Sequence, residues 1–379
     1  MKFIHLSDLH LGKRVNEFSM IEDQEYILKK IINIIDDAKA EAVLIAGDVY
    51  DKPVPTEEAI RLWDDFLCSL VKRNLKVFVI SGNHDSQVRL SEHNRLVEAT
   101  GVYLSPVYNG KISPITVTDE YGDINIYMLP FVKPATVKPF FEEENAPQSY
   151  TDALRLAIKA MEVDPAKRNI LIAHQFVTGA SPGGSEEVNV GGLDNVDAAV
   201  FEDFDYVALG HIHGKQNIGN GSIRYCGTPL KYSFSEKDHK KTVTVLEMGE
   251  KGDKKISEFP LVPLHDLRQI RGTYMELTDK RNYEGTDVED YIHAVLTDEE
   301  DVYDAAAKLR IIYPNLMKLS YDNERTRTNQ EIGDIEDIGQ KSPLELFEEF
   351  YRLQNNQEMS DSQKGLCREL IDSIRGGTK

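Results

Sequence analysis

Short apolar runs recur along the first two thirds of the chain, over 2–6, 42–46, 76–80, 124–129, 170–173, 206–209 and 242–246. Each is a compact, mostly unbroken hydrophobic run, the pattern of a largely buried strand. Between several of them the apolar positions change to a helical period. From 21 to 38 they return at Ile27, Ile31, Ile34, Ile35 and Ala38, and from 57 to 71 at Ile60, Trp63, Phe66, Leu67 and Leu70. Strands alternating with helices predict an α/β domain. A chain of 379 residues exceeds one core and predicts two or three domains.

Near 260–263 the pattern changes. A smaller α/β unit is expected to follow, with a strand near 267–277, a helix near 287–296 and a strand near 309–313. Residues 322–341 are polar and read as a linker. The last segment reads as a helical pair. Ser342-Pro343-Leu344-Glu345 forms a capping box with proline at the first helical position, and Leu344, Phe347, Phe350 and Tyr351 line one face. Ser360-Asp361-Ser362-Gln363 is a second box, followed by Leu366, Leu370, Ile371 and Ile374. Two such helices have little core of their own and must pack on the body or on another protein. The expected divisions are 1–262, 263–321, 322–341 and 342–379.

Composition changes this picture in one respect. The formal net charge is −20, which by itself argues against a nucleic-acid binder, because phosphate neutralisation needs clustered Lys and Arg. A metal centre or a partner subunit would have to supply the positive charge. The acidic stretches 142–144 and 298–301 read as solvated surface. Cys68, Cys226 and Cys367 are scattered and odd in number, so no disulfide framework is expected. No apolar run is long enough to span a bilayer, and the first residues lack the core of a signal peptide. A cytoplasmic location is expected.

The candidate chemistry lies at the ends of the strands. Asp8-Leu9-His10, Gly47-Asp48-Val49-Tyr50-Asp51, Gly82-Asn83-His84-Asp85, Ala173-His174 and Gly210-His211-Ile212-His213 each stand at or just beyond a predicted strand. Five of the ten histidines lie in these motifs, and loops at the carboxyl ends of strands converge on the ligand site of an open α/β sheet. A lone Asp-x-His or Gly-Asp means little. The ordered set is the signal. Asp8 with His10, and His211 with His213, are i, i+2 pairs whose side chains share a direction on extended chain. Asp48, after a glycine, is the candidate carboxylate to bridge two ions, and Asn83 offers a neutral amide oxygen. Imidazole, carboxylate and amide donors without cysteine favour manganese or iron over structural zinc. Two divalent ions against two carboxylates leave a local charge of about +2, suited to activating a hydroxide and holding a phosphodiester. His84, beside Asn83, is expected to face the substrate, with the Asp51 carboxylate setting its tautomer.

These motifs resemble the ordered series of the calcineurin-like metallophosphoesterase superfamily over residues 1–230, and all parts are intact. The resemblance implies a four-layer fold of two mixed sheets flanked by helices. The opening Met1-Lys2-Phe3-Ile4-His5-Leu6-Ser7-Asp8-Leu9-His10-Leu11-Gly12-Lys13-Arg14 is similar to the SbcD branch. So are Tyr225-Cys226-Gly227-Thr228-Pro229-Leu230 and Ser233-Phe234-Ser235-Glu236, as well as the layout of a small cap domain and a terminal helical pair. Carried over by position, the resemblance implies one metal held by Asp8, His10, Asp48 and His213. The other would be held by Asp48, Asn83, His174 and His211, with His84 as the transition-state residue. It further implies manganese, 3′-to-5′ degradation of duplex DNA ends and hairpin opening. The implied assembly is a homodimer with two coiled-coil SbcC ATPase chains, docked through the terminal helices. Loop 178–192 is expected to border the DNA path, and Lys13 and Arg14 lie near enough to meet phosphates. The alternatives are a phosphoesterase for nucleotides or other small phosphoesters, and a purely architectural subunit, which would need no complete metal site.

Overall fold

The computed structural model describes residues 1–181, 195–323, 344–348, 351 and 359–376. By internal contacts the chain divides into Met1–Leu267 and Arg268–Lys379. This is five residues beyond the boundary at 262.

The larger unit holds two six-stranded mixed sheets. The first runs Lys254–Pro260, Thr242–Met248, Lys2–Leu6, Ala42–Ala46, Lys76–Ile80, Val102–Leu104. Its last four strands are parallel, and Thr242–Met248 pairs antiparallel to both neighbours. The second runs Gln216–Ile218, Ile223–Tyr225, Tyr206–Gly210, Arg168–His174, Gly122–Met128, Ile115–Asp119, with an antiparallel pairing at each edge. One core lies between the sheets. Phe3, Leu44, Phe78 and Ile80 of the first meet Ile126, Ile170, Ile172 and Tyr206 of the second, all of them fully buried. The alternate side chains Ile4, Val43, Ile45, Val77 and Val79 are fully buried as well, which is why these strands read as unbroken apolar runs. The helices Ile21–Ala38 and Glu57–Val71 pack together, and the first reaches the strand Thr242–Met248. On the second sheet, Leu171, Val207 and Leu209 form the other core with Ala153, Leu154, Ala157 and Ile158 of the helix Tyr150–Lys159. The architecture is therefore the expected four-layer sandwich.

Both helices and the first strands occupy the ranges their periods predict. Thr56 caps Glu57–Val71 by accepting from the Ala59 N–H at 3.3 Å.

The smaller unit departs from expectation in three places. Residues 287–296 hold a strand, Tyr291–Leu296, instead of a helix. All six of its residues are buried at the centre of a three-stranded sheet, and a short apolar run of this kind has no period to separate strand from buried helix. Residues 309–313 are not a strand. The Ala305–Arg310 segment, Ala-Ala-Ala-Lys-Leu-Arg, is helical, as its composition of strong helix formers favours, and the strand follows at Leu316–Tyr321. The strand from Leu267 ends at Gly272, because Thr273 and Glu276 form a capping box that starts the helix Tyr274–Thr278.

Of the terminal pair, residues 344–348 and 351 are helical, and Asp361–Gly376 forms a second helix. Its predicted box is present: the Ser360 N–H donates to Gln363 Oε1 at 2.9 Å, and the Gln363 N–H donates to Ser360 Oγ at 3.4 Å. Leu366 and Leu370 of its apolar stripe are exposed. The first capping residues Ser342 and Pro343, Phe350, the linker beyond its first two residues and most of loop 178–192 lie outside the described residues, as does the side chain of Ile374.

Phe78 lies between the sheets with its ring 5.0 Å from that of Tyr103, nearly parallel. Phe78→Ala is expected to cost about 3–5 kcal/mol, read as a lower urea midpoint with an unchanged slope.

Candidate metal centre

The central strands of both sheets end at one place. Asp8 and His10 follow Lys2–Leu6, Asp48 follows Ala42–Ala46, and Asn83 and His84 follow Lys76–Ile80. From the second sheet, His174 ends its strand, and His211 and His213 follow Tyr206–Gly210. Asp8, His10, Asp48 and His211 all have positive φ, at 53°, 44°, 51° and 102°. Non-glycine residues in that region cost on the order of 1–3 kcal/mol each and persist only where the surroundings impose them. Here the imposition is visible. Asp8 N–H donates to the Gly47 carbonyl at 3.0 Å, His10 N–H to the Asp48 carbonyl at 2.9 Å, and Leu11 N–H to the Val49 carbonyl at 2.9 Å. Across the sheets, the His211 N–H donates to the Asp8 carboxylate at 3.1 Å.

Two glycines set how closely these loops approach. A Cβ on Gly82 would stand 2.1 Å from Asp48 Oδ1, and one on Gly210 would stand 2.0 Å from the Ala46 carbonyl oxygen. Neither contact is possible: bare Gly210 lets the second sheet approach the first at the site, and bare Gly82 lets two neighbouring loops of the first sheet close around Asp48.

The donor atoms form two overlapping groups. In the first, Nε2 of His10 and of His213 lie 3.2 Å apart, and a carboxylate oxygen of Asp8 lies within 4.8 Å of this pair. In the second, Asn83 Oδ1 is 2.9 Å from His174 Nε2 and 3.0 Å from His211 Nδ1. Asp48 stands between them, its Oδ2 3.7 Å from His10 Nε2 and 3.3 Å from His174 Nε2. All but Asn83 are buried.

Residues 1–215 match the calcineurin-like phosphoesterase family, and residues 263–355 match the type 5 capsule protein repressor C-terminal domain. SbcD, the nuclease subunit of SbcCD in Staphylococcus epidermidis, is 31% identical over 99% of each chain. This chain belongs to the calcineurin-like phosphoesterase family, in its SbcD branch. A solved dimetal phosphatase from Danio rerio is 13% identical, covers 69% of this chain and 96% of its own, and superposes with a TM-score of 0.42.

Family membership implies divalent ions, and the donor set fits them. Two nitrogens bound at about 2.1 Å to one ion at right angles would stand about 3 Å apart, close to the His10–His213 spacing. The tautomers suit the same role. The Nδ1–H of His174 donates to the Ala46 carbonyl at 2.8 Å, which leaves Nε2 facing Asn83 and Asp48. His213 Nδ1 meets Glu236 Oε1 at 3.1 Å, which turns its Nε2 towards His10. Protonation follows burial and neighbouring charge. Burial, with the charge of His174 adding to it, pushes His211 down to about 3, and burial holds His10 well below the ordinary histidine value. Burial would raise the Asp48 carboxyl, but His174 and His10 outweigh it and keep it below the usual range. Burial would lower His174, but Asp48 and Asp8 outweigh it and raise it to about 9, so His174 is the imidazole that must give up a proton when an ion binds, since neutral imidazole and ionised carboxylate are the forms that bind metal.

Further residues, absent from the sequence-based set, aim these donors. Glu236, fully buried, bonds His213 and also takes a charged hydrogen bond from Lys241 Nζ at 2.5 Å. Lys241 donates as well to the His213 carbonyl at 3.0 Å. Asp85 accepts the N–H groups of Val49, Tyr50 and Gly82 at 3.1, 2.9 and 2.9 Å, fastening the loop of Asp48 to that of Asn83. Gln24 donates to the His10 carbonyl at 2.7 Å, and Tyr232 to the Leu9 carbonyl at 2.5 Å. Asp85 and Glu236 lie inside the motifs named above, so a signal exists for them. Gln24 and Tyr232 carry none, since nothing local ties a helix or a distant loop to this place.

One expectation changes. His84 Nδ1 lies 3.0 Å from the main-chain carbonyl of Asp51, not from its carboxylate. That carboxylate is taken by Lys13 Nζ at 2.7 Å. The loop conformation, which a residue list does not contain, decides which oxygen of Asp51 faces His84.

Removing the charge behind His213 tests the supporting shell. Glu236→Gln is expected to weaken manganese binding about 10–100-fold, measured by titration calorimetry on the full chain. Unchanged affinity would show that His213 needs no such support.

Proposed function

We propose that this chain is the nuclease subunit of an SbcCD-type complex, cutting DNA phosphodiesters at a two-metal centre. The observation that carries the reading is the position of Asp48 between two donor groups, with His84 alongside and more open to solvent. In this reading Asp8, His10, Asp48 and His213 hold one ion, and Asp48, Asn83, His174 and His211 the other. Manganese suits the nitrogen and oxygen donors. When bound, the ions supply a nucleophile at neutral pH and charge neutralisation at the phosphate.

His84 does the chain's own proton work. Its main-chain N–H donates to Asp48 Oδ1 at 2.9 Å, which fixes the residue to the metal loop. A carbonyl can only accept, so Nδ1 carries the proton that meets Asp51. With Nδ1 so engaged, the ring must carry a second proton on Nε2, as the imidazolium, to give one to the leaving oxygen as the P–O bond breaks. The net charge of −20 is reconciled with DNA by the ions and by a partner that supplies grip. The partner proposed is the coiled-coil SbcC ATPase, in an assembly of two nuclease and two ATPase chains. The docking element proposed is the terminal helical pair, on which Phe347, Leu366 and Leu370 are exposed. Activities proposed are 3′-to-5′ degradation of duplex ends and opening of hairpins.

The test is manganese-dependent cleavage of an end-labelled duplex, with and without SbcC and ATP. Ladders from the 3′ ends are expected with the native chain and none with Asp8→Ala. Hydrolysis of a cyclic nucleotide or a phosphomonoester with no DNA cleavage would move the substrate to a small phosphoester. His84→Gln is expected to keep bound manganese and lose about 100-fold or more in cleavage rate, and cleavage at the native rate would remove His84 from the mechanism. Deleting 342–379 is expected to leave manganese binding intact and abolish co-purification with SbcC. Normal co-purification of the shortened chain would place the docking surface elsewhere.

A further inference from the structure

Lys13 is a charged residue that the metal centre does not use, yet it stands at the edge of that centre. Its chain position follows from the loop it ends. The Lys13 N–H donates to the His10 carbonyl at 3.0 Å, and the Lys13 carbonyl accepts from the Met20 N–H at 3.1 Å. The segment from His10 to Leu11 runs beside the segment from Asp48 to Tyr50, with Leu11 and Tyr50 paired as a parallel bridge. The Asp51 N–H then donates to the Leu11 carbonyl at 3.2 Å. Beyond this point the two loops are joined by side chains. Lys13 Nζ donates to Asp51 Oδ1 at 2.7 Å and lies 5.7 Å above the ring of Tyr232. Both members of the ion pair are mostly buried, at 20% and 13% exposure, so the pair is shielded in a way that a surface pair is not.

The other end of Asp51 is what His84 holds. Its carbonyl oxygen accepts from His84 Nδ1 at 3.0 Å, so one residue carries Lys13 on its carboxylate and His84 on its main chain. The His84 ring also stands edge-on to that of His10, 4.8 Å between centroids. The position of the imidazole thus depends on where the Asp51 peptide sits, which the Lys13 ion pair holds together with the Asp51 N–H bond to Leu11, the same Asp51 Oδ1 standing 3.8 Å from His10 Nδ1.

We infer that Lys13 is a positioning residue for the phosphodiester reaction, acting through Asp51 to aim the His84 imidazole at the leaving oxygen. The inference rests on the phosphoesterase reading of the site but not on DNA as its substrate. Lys13 keeps its ammonium on Asp51 during turnover and does not grip the substrate.

The experiment compares Lys13→Met, Lys13→Arg, His84→Gln and the Lys13→Met/His84→Gln double variant in the full chain, with manganese and a dinucleoside monophosphate, a small diester whose alkoxide leaving group needs a proton. Lys13→Met is expected to lower kcat about tenfold or more, with KM and bound manganese unchanged. Lys13→Arg restores most of the rate, because a guanidinium keeps the ion pair. In the His84→Gln background, Lys13→Met causes no further loss, because the group it aims is already gone. Losses that multiply in the double variant, a change confined to KM, or a native rate for Lys13→Met would each overturn the inference. The small diester needs only the metal centre and His84. Failure to cut DNA would therefore overturn the nuclease reading and leave this comparison intact.

Discussion

A buried carboxylate between two sets of imidazoles is the constraint on which this molecule is built. Asp48 can stay ionised at its depth only if positive charge is brought to it, and the fold is arranged to bring it from both sides. One sheet delivers Asp8, His10, Asp48 and Asn83, and the other delivers His174, His211 and His213. The sandwich between Phe3, Phe78, Ile172 and Tyr206 keeps the two deliveries in register. Seen this way the apolar core and the charged site are one design. The site asks for main-chain conformations that are unfavourable in isolation, and the packed strands behind it hold them.

Much of this is legible in the residues. The strands and both long helices of the first domain follow from continuous apolar runs and from stripes such as Ile27, Ile31 and Ile35, because burial on two faces or on one leaves different periods. The donors are legible because each ends a strand and its residue type has few other uses there. Less legible is the smaller unit. The run Tyr291–Leu296 is buried throughout, so it shows no alternation, and the Ala-rich helix at Ala305–Arg310 is masked by the apolar cluster that follows it. The capping box at Thr273 lies inside a mixed apolar and polar stretch, 267–277, that reads as one continuous strand, whereas the equivalent box at Ser360 opens a clear helical stripe and is present as expected.

What the sequence does not show is how the donors are held. Glu236 reaches His213 across 23 positions, Gln24 reaches His10 from the first helix, and Asp85 ties together three N–H groups from two loops. Such contacts depend on the fold being complete. The orientation of Asp51 is the sharpest instance: its identity suggests a carboxylate for His84, and the turn presents a carbonyl instead.

The bare glycines at 82 and 210 bear on how such a centre could be re-engineered. Because Gly210 lies against the Ala46 carbonyl and Gly82 against Asp48, the approach of the donor-bearing loops is limited where main chain meets its neighbour, much as a feeler gauge limits a gap. Exchanging one donor type for another would change which ion is preferred while leaving the spacing of the two positions alone. The chemistry of the pair is therefore open to retuning by ligand choice, whereas its geometry belongs to the backbone.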